Sequence, residues 1–286
     1  MPVFYEKLGK KVSIFKNRHF LQQQTMKIYT KESLIQSLKV IASRGWIENL
    51  RGNNDGAIGN TLEDLLDIKE NNLPLPNAAE WELKTHRVGN TSLVSFFNLA
   101  PSPRAIKFVP RLLLPNYGWQ HKEAGKKYPE NEMSFRQTIH GRAASDRGFM
   151  VKIDRRERKV LISFDSSKID ERHSQWKSDV KQRIGLNELE PQPYWGFDDL
   201  EHKAGTKMLN CFFVQAEVKR ENDKQFFHYV SVEMLQKFSF AGFLQEIENA
   251  NILVDFDART HHDHGTSFRI REAIIPKLYE KATVIV

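Results

Sequence analysis

Helical spacing of apolar residues characterises the first part of the chain. Four apolar residues recur at intervals that place them on one helix face: Leu34, Ile35, Leu38 and Ile41. Thr30 precedes them and is the predicted N-cap, because its hydroxyl can accept a hydrogen bond from the first helical turn. After a loop rich in Gly and Asn, the segment TLEDLLDIKE predicts a second helix that begins at Asn60 or Thr61. Pro74 and Pro76 end this helix, since proline cannot continue it.

Regular alternation of apolar and polar residues follows in AAEWELKTHR, residues 78–87. A period of two is typical of a strand. Trp81 and Leu83 are therefore predicted on one face, and Glu82, Lys84 and His86 on the other. This strand would carry a carboxylate, an ammonium and an imidazole on the same side.

The remaining pattern mixes strands and helices. Strands are predicted at residues 92–99 and 212–218, and a hairpin at 149–165 with its turn at 155–157. A helix is predicted from about Phe197, then a helix and a strand within 231–259, and a strand, a helix and a strand within 265–286. This order favours a mixed α/β (α+β) fold in which helices flank a sheet, and it is compatible with two lobes.

Charge and cysteine content narrow the class of protein. The 286 residues include 43 Lys and Arg against 36 Asp and Glu, which gives a net charge of +7. This excess favours an anionic partner such as nucleic acid or a membrane surface. Cys211 is the only cysteine, which excludes a disulfide framework and a thiolate zinc cluster. Because no run of 18 apolar residues and no signal-peptide pattern occurs, we expect an intracellular protein without a membrane span.

The charged face of the 78–87 strand suggests phosphodiester chemistry. Glu82 and Lys84 project together, and a carboxylate in this position can hold Mg²⁺. A neighbouring lysine can orient or deprotonate the attacking water and offset charge on the phosphorane. The mechanism normally needs a second acidic ligand just upstream, after a proline, but here Pro76 is followed by Asn77. By itself the Glu-x-Lys pattern is also typical of any solvent-facing strand.

A second charged segment, RTHHDHGTSFRIR, lies near the end of the chain. His262 and His264 share a strand face, which is compatible with a zinc site, with structural hydrogen bonds or with contacts to DNA bases. A closed zinc site would need more ligands than these two. Arg269 and Arg271 also share a face, and arginine forms paired hydrogen bonds with guanine O6 and N7. An aspartate on the preceding strand, Asp255 or Asp257, could accept from cytosine N4.

Several segments together resemble a known family. They occur in order and at similar separations: GWIENLRGNNDGAIGNTLEDLL, NNLPLPNAAEWELKTHR, SPRAI, YWGFDDL and THHDHGTSFRI. Residues 31–286 resemble the MvaI/BcnI family of type II restriction endonucleases, nearer to its MvaI branch. Residues 1–30 have no counterpart and are predicted to be an N-terminal basic extension.

The resemblance implies a fold, a cofactor and a partner. The fold would be of the PD-(D/E)XK, MutH-like kind, with a catalytic lobe at 31–165 and a DNA-recognition lobe at 166–286 that form a cleft for duplex DNA. The family's members act as monomers with Mg²⁺ and cut a short CCNGG-type site, of which CC(A/T)GG is one version. A cytoplasmic protein from a bacterium or an archaeon is therefore expected.

The resemblance also assigns roles residue by residue. Glu82 and Lys84 match the second carboxylate and the lysine of the motif, and Glu63 matches the helix glutamate behind the metal site. Asn77 occupies the place of the first aspartate, so Asn77 and Glu82 are the predicted metal ligands. The predicted DNA contacts are Asp255, Arg259, His262, His264, Arg269 and Arg271. His86, which continues the catalytic face, is expected near the scissile phosphate or at another backbone phosphate.

Asn77 departs from the family pattern because an amide oxygen carries no full negative charge for Mg²⁺. Three explanations are open. Asn77 is an introduced replacement of aspartate that keeps the shape and removes the charge, or Glu80 supplies the carboxylate from the same strand face, or the protein binds DNA without cutting it. The alternatives to a restriction endonuclease are accordingly a sequence-specific DNA-binding protein that does not cleave and a MutH-like nicking endonuclease.

Overall fold

The computed structural model describes residues 29–52, 56–68 and 81–286, and the fold is mixed α/β, as predicted. Its α-helices are α1 (Lys31–Ser43), α2 (Ala57–Leu65), α3 (Leu114–Tyr117), α4 (Ser174–Ile184), α5 (Phe197–Met208) and α6 (Phe240–Glu248). The strands are β1 (Ile47–Glu48), β2 (Glu82–Arg87), β3 (Leu93–Asn98), β4 (Trp119–Gln120), β5 (Met133–Ile139), β6 (Arg147–Asp154), β7 (Lys159–Ile169), β8 (Tyr194–Gly196), β9 (Asn210–Glu221), β10 (Lys224–Phe238), β11 (Ile252–Arg259), β12 (His262–Arg271) and β13 (Tyr279–Val284). Short 3-10 segments lie at Arg104–Ile106, Glu171–His173 and Glu272–Leu278, and a π-helical turn at Val109–Leu113 precedes α3.

The strands form three sheets. The first has the order β1-β10-β9-β2, with β13 also paired to β10, and β2 runs parallel to β9. The second has the antiparallel order β3-β12-β11-β5-β4, and the third is β6-β7-β8. Each of the first two sheets combines strands from before and after residue 165, so strand pairing does not follow the predicted lobe boundary at that residue. Pairing between strands distant in sequence leaves no mark in the local pattern.

Helices α1 and α2 cover one face of the first sheet. The Thr30 hydroxyl caps α1 by accepting a hydrogen bond from the Ser33 amide at 3.2 Å, which confirms the predicted N-cap. Helix α2 begins at Ala57, before the predicted start at Asn60, because Ala57 and Ile58 are buried in the core under the sheet. Packing thus outweighs the weak helix propensity of the residues that follow them.

The segment 231–238 is a strand and not the predicted helix. It forms the second half of β10, which pairs with β9 on one side and β13 on the other. Pairing on both edges satisfies its backbone groups, and this outweighs a local sequence that is compatible with a helix. Only Phe240–Glu248 is helical, and the Ser239 hydroxyl caps it by accepting from the Gly242 amide at 3.1 Å. The predicted hairpin, the helix from Phe197 and the closing strand, helix and strand are confirmed.

Two cores meet at the first sheet. Alternate residues of β9 enter different clusters: Phe212 packs with Trp81 and α1, whereas Cys211 and Phe213 belong to a larger cluster. That larger cluster also contains Phe256 and Phe268 from the inner face of the second sheet. The first and second sheets are therefore joined through one apolar core, and the polar side of β2 faces this junction.

Candidate active site and nucleic-acid interface

Strand β2 places the predicted catalytic pair. Its parallel register sets Glu82 beside Cys211 and Lys84 beside Phe213. Trp81 and Leu83 are buried in the core below α1 and α2, with the Trp81 ring centroid 4.7 Å from that of Phe212. Glu82, Lys84 and His86 consequently project from the opposite side, as the alternation predicts.

The Glu82 carboxylate and the Lys84 ammonium lie in direct contact. Glu82 Oε1 is 3.1 Å from Lys84 Nζ. The Glu82 side chain is 2% exposed and that of Lys84 is 20% exposed, so the acid lies at the bottom of the site and the amine extends toward solvent. A buried carboxylate needs a compensating charge, which Lys84 supplies. A carboxylate oxygen that can bind a cation therefore lies next to an amine that can donate or accept a proton.

Beneath the pair lie two groups that remain neutral. Burial raises the pKa of the Cys211 thiol to about 12, although the nearby Lys84 ammonium opposes this shift. Burial likewise raises the pKa of the Tyr279 hydroxyl well above its usual value. Because both groups keep their protons at neutral pH, neither adds a negative charge that would compete with the Glu82 carboxylate for a cation.

The donor chemistry at β2 is compatible with a hard cation. Glu82 offers carboxylate oxygens, and Mg²⁺ takes oxygen ligands while it keeps several waters. Within residues 29–52, 56–68 and 81–286, no three His, Cys, Asp or Glu side chains converge as a metal cluster. The predicted ligand Asn77 and the alternative Glu80 lie outside the described residues. Glu63 is half-buried on α2, which packs on the Trp81 side of β2.

His86, which is predicted near the scissile phosphate or at another backbone phosphate, is buried. Its Nδ1 is 2.5 Å from Glu272 Oε2, and its ring stacks on Phe213 with centroids 5.9 Å apart. The face predicted for His86 is correct, but the imidazole is held by a carboxylate from a distant part of the chain. Sequence alternation could not indicate that partner.

The outer face of the second sheet is polar and carries the predicted base contacts Asp255 and Arg269. Asp255 Oδ1 accepts a hydrogen bond from the Thr138 hydroxyl at 2.5 Å, and Asp255 Oδ2 is 3.6 Å from Arg269 Nη1. Arg269 Nη2 donates to the Leu93 carbonyl at 2.7 Å. An anionic acceptor and a cationic donor are thus held side by side on one face.

The other predicted contacts lie in different surroundings. His262 and His264 are exposed near the β11–β12 turn, with their Nε2 atoms 3.1 Å apart. Arg271 is exposed at the opposite end of β12. Arg259 is anchored, because its Nη1 is 3.0 Å from the buried Glu132 carboxylate and its guanidinium lies over the Tyr128 ring. The structure therefore brings Asp255 and Arg269 together, with Arg271 two residues farther along the same strand, and places the histidine pair toward the other end of β12.

Comparison with known proteins identifies the family. The sequence model of the MvaI/BcnI restriction endonuclease family matches residues 35–279. The chain belongs to this family. A search of curated proteins found no match. Membership of the MvaI/BcnI family places the chain among site-specific deoxyribonucleases.

Two solved structures share the fold of this MvaI/BcnI family member. A restriction endonuclease MvaI in complex with its cognate DNA substrate is 26% identical, with a TM-score of 0.69 over 90% of this chain and 100% of that one. MvaI in the absence of DNA is also 26% identical, with a TM-score of 0.54 over 91% of this chain and 100% of that one. No helix within the described part of the chain is long and apolar enough to cross a membrane.

Two residues of this family member on β5 were missed by sequence reasoning. Thr138 orients Asp255, and Arg136 Nε is 3.7 Å from Asp257 Oδ1 on the same outer face. The signal was available, since polar residues alternate with apolar ones in MSFRQTI, residues 133–139. What the alternation could not disclose was that β5 lies beside β11, which brings these side chains to the aspartates.

Proposed function

We propose that the protein is a type II restriction endonuclease that hydrolyses both strands of duplex DNA at a short CCNGG-type site, as a monomer and with Mg²⁺. The observation that carries the proposal is the 3.1 Å contact between Glu82 and Lys84 on β2, the terminal strand of the first sheet within the described residues. Membership of the MvaI/BcnI family and the likeness to MvaI bound to its cognate DNA support DNA as the partner.

The residues on and around β2 would have different roles in hydrolysis. Glu82 would hold Mg²⁺ together with the group at position 77, and Glu63 would support the site from α2. Mg²⁺ would lower the pKa of a bound water and polarise the phosphoryl oxygen. Lys84 Nζ, next to Glu82, orients the attacking water, accepts its proton or offsets charge on the phosphorane. Cys211 and Tyr279, both neutral, exclude bulk water from beneath the pair.

The outer face of the second sheet would select the sequence. The Asp255 carboxylate can accept from cytosine N4, and the Arg269 guanidinium can donate to guanine O6 and N7 in the major groove. The Thr138 hydroxyl donates a hydrogen bond to Asp255 Oδ1, so that Asp255 Oδ2 faces Arg269. The exposed groups His262, His264 and Arg271 would contact bases or phosphates farther along the duplex, while Arg259 would support that surface from its anchored position.

Plasmid cleavage with Mg²⁺ tests the proposed function. We expect paired cuts at one fixed sequence, so that a plasmid with a single site becomes linear through a short-lived nicked form. Persistent nicks would favour the MutH-like alternative. Tight binding without any product, both for the chain with Asn77 and for Asn77→Asp, would favour a DNA-binding protein that does not cleave.

Base selection by Arg269 gives a second test. Removing its guanidinium by Arg269→Ala is expected to cost about 1–3 kcal/mol of discrimination at one base pair, because a paired contact to guanine is lost. Binding is measured on the cut site and on duplexes changed at single positions. Arg220→Ala, which removes an exposed arginine of β9, is the control. A uniform loss of affinity across all sequences would instead assign Arg269 to a phosphate.

A further inference from the structure

The buried contact between His86 and Glu272 joins the two strands that carry the proposed functions. His86 lies two residues after Lys84 on β2, on the same face. Glu272 is the residue that directly follows β12, three positions after Arg269. The pair thus connects the end of the base-contacting strand to the strand of the catalytic pair, across 186 residues of sequence.

The surroundings of this contact make it a rigid connection. The side chains of His86 and Glu272 are 8% and 10% exposed, and their facing atoms are 2.5 Å apart. The His86 ring is also held flat against Phe213, which is the neighbour of Lys84 on β9. If Glu272 moves, the His86 side chain must therefore move with it or shift β2, because Phe213 restricts the imidazole ring.

The chain changes sheets at the same place. After Arg271, the 3-10 segment Glu272–Leu278 leads from β12 of the second sheet into β13, which pairs with β10 of the first sheet. A cavity of about 170 Å³ lies beside this passage and is lined by Thr85, Arg87, Asn90, Leu93 and Glu272, among others. The His86–Glu272 contact therefore adds a polar link between the two sheets next to this cavity, beside the apolar core that joins them.

We propose that His86 and Glu272 are positioning residues that couple base contact on β12 to the geometry of the Glu82–Lys84 pair, an inference that rests on the proposed function. A correct base contact at Arg269 holds the end of β12 in place, and Glu272 then holds His86 and the β2 segment before it. Neither residue touches the substrate. A purely structural pair would instead stabilise the fold without affecting the cleavage rate of the folded protein.

The test uses the full chain, either with Asn77 or with Asn77→Asp, whichever cuts DNA. Single-turnover cleavage at saturating DNA and the Kd for the same duplex are measured for His86→Ala, Glu272→Ala and the double variant. We expect a loss of cleavage rate of about 10- to 100-fold, typical for residues that orient catalytic groups. The Kd should change less than about threefold, and the double variant should be no slower than either single one, since both break the same contact.

Matched variants separate coupling from folding. His86→Asn keeps a donor near the Nδ1 position and should restore much of the rate, and Glu272→Gln should retain part of it. His173→Ala breaks a second histidine–carboxylate contact, 2.8 Å to Asp146, and should leave the rate unchanged. Thermal unfolding reports whether each variant is folded. If the alanine variants do not fold, Glu272→Gln provides the test, because it should lose part of the rate at an unchanged Kd, and an unchanged rate would contradict the coupling.

Other outcomes overturn the proposal. Folded alanine variants that cut as fast as His173→Ala would make the pair purely structural. Rate and affinity that fall together would show a role in DNA binding, and additive losses in the double variant would show that the two residues act independently. If neither form of the chain cuts any duplex, the proposed function fails and the coupling fails with it. If folded His86→Ala and Glu272→Ala cut DNA normally, only the coupling fails.

Discussion

Replacing Asn77 by aspartate is expected to raise the rate of DNA cleavage at least about a hundredfold, which corresponds to about 2.7 kcal/mol of transition-state stabilisation. The physical reason is charge: Asn offers a neutral carbonyl oxygen, whereas Asp adds an anionic ligand beside Glu82 at nearly the same shape. DNA affinity should change little, because the proposed base contacts lie on the second sheet. The measurement is the single-turnover cleavage rate with Mg²⁺, together with binding to the same duplex.

The same assay distinguishes the explanations for Asn77, and it includes a control variant. Asn222→Asp adds an equal charge in the exposed turn between β9 and β10, where it should have no effect on cleavage. If the chain with Asn77 already cuts and Glu80→Ala abolishes the activity, Glu80 supplies the missing carboxylate. If neither the chain with Asn77 nor Asn77→Asp cuts but both bind the duplex, the protein binds DNA without cleaving it.

Removing either member of the Glu82–Lys84 pair is expected to lower the cleavage rate of an active form on the order of a thousandfold, or about 4 kcal/mol. Glu82→Gln removes the proposed anionic ligand at nearly constant shape, and Lys84→Ala removes the amine that is proposed to orient or deprotonate the attacking water. Loss of one partner from a buried pair also destabilises a protein, typically by about 3–5 kcal/mol. Thermal unfolding therefore accompanies the rate measurement, so that a folding defect is distinguished from a chemical one.

The chain contains a matched pair for comparison. Lys219 and Glu221 are also two residues apart on a strand, with Nζ 3.1 Å from Oε1, but both are more exposed and lie toward the end of β9. Glu221→Ala should leave cleavage unchanged. If Glu82→Gln and Lys84→Ala have as little effect as Glu221→Ala, the active site has been assigned to the wrong residues.

Local patterns predicted much of the framework. The cap at Thr30, the hairpin of β6 and β7 and the alternation along β2 all depend on residues close in sequence, where helix and strand periodicities apply directly. For the same reason the pairing of Glu82 with Lys84 could be predicted, since residues two apart on a strand share a face whatever the sheet around them. The family resemblance then supplied the roles of these residues.

Contacts between residues far apart in sequence determined the features that local patterns did not predict. The partner of His86 is Glu272, and the partner of Asp255 is Thr138 on a neighbouring strand, both far away in sequence. The same applies to residues 231–238, which are a strand because β9 and β13 pair with them.

By itself, then, the sequence determined which side chains share a strand face and which chemistry they can perform together. Only the tertiary structure decided which strands adjoin, that the first two sheets draw on both halves of the chain, and that His86 is buried against Glu272. The physical reason is that periodicity sets the direction of a side chain, while hydrogen bonding and burial between distant segments select its neighbours.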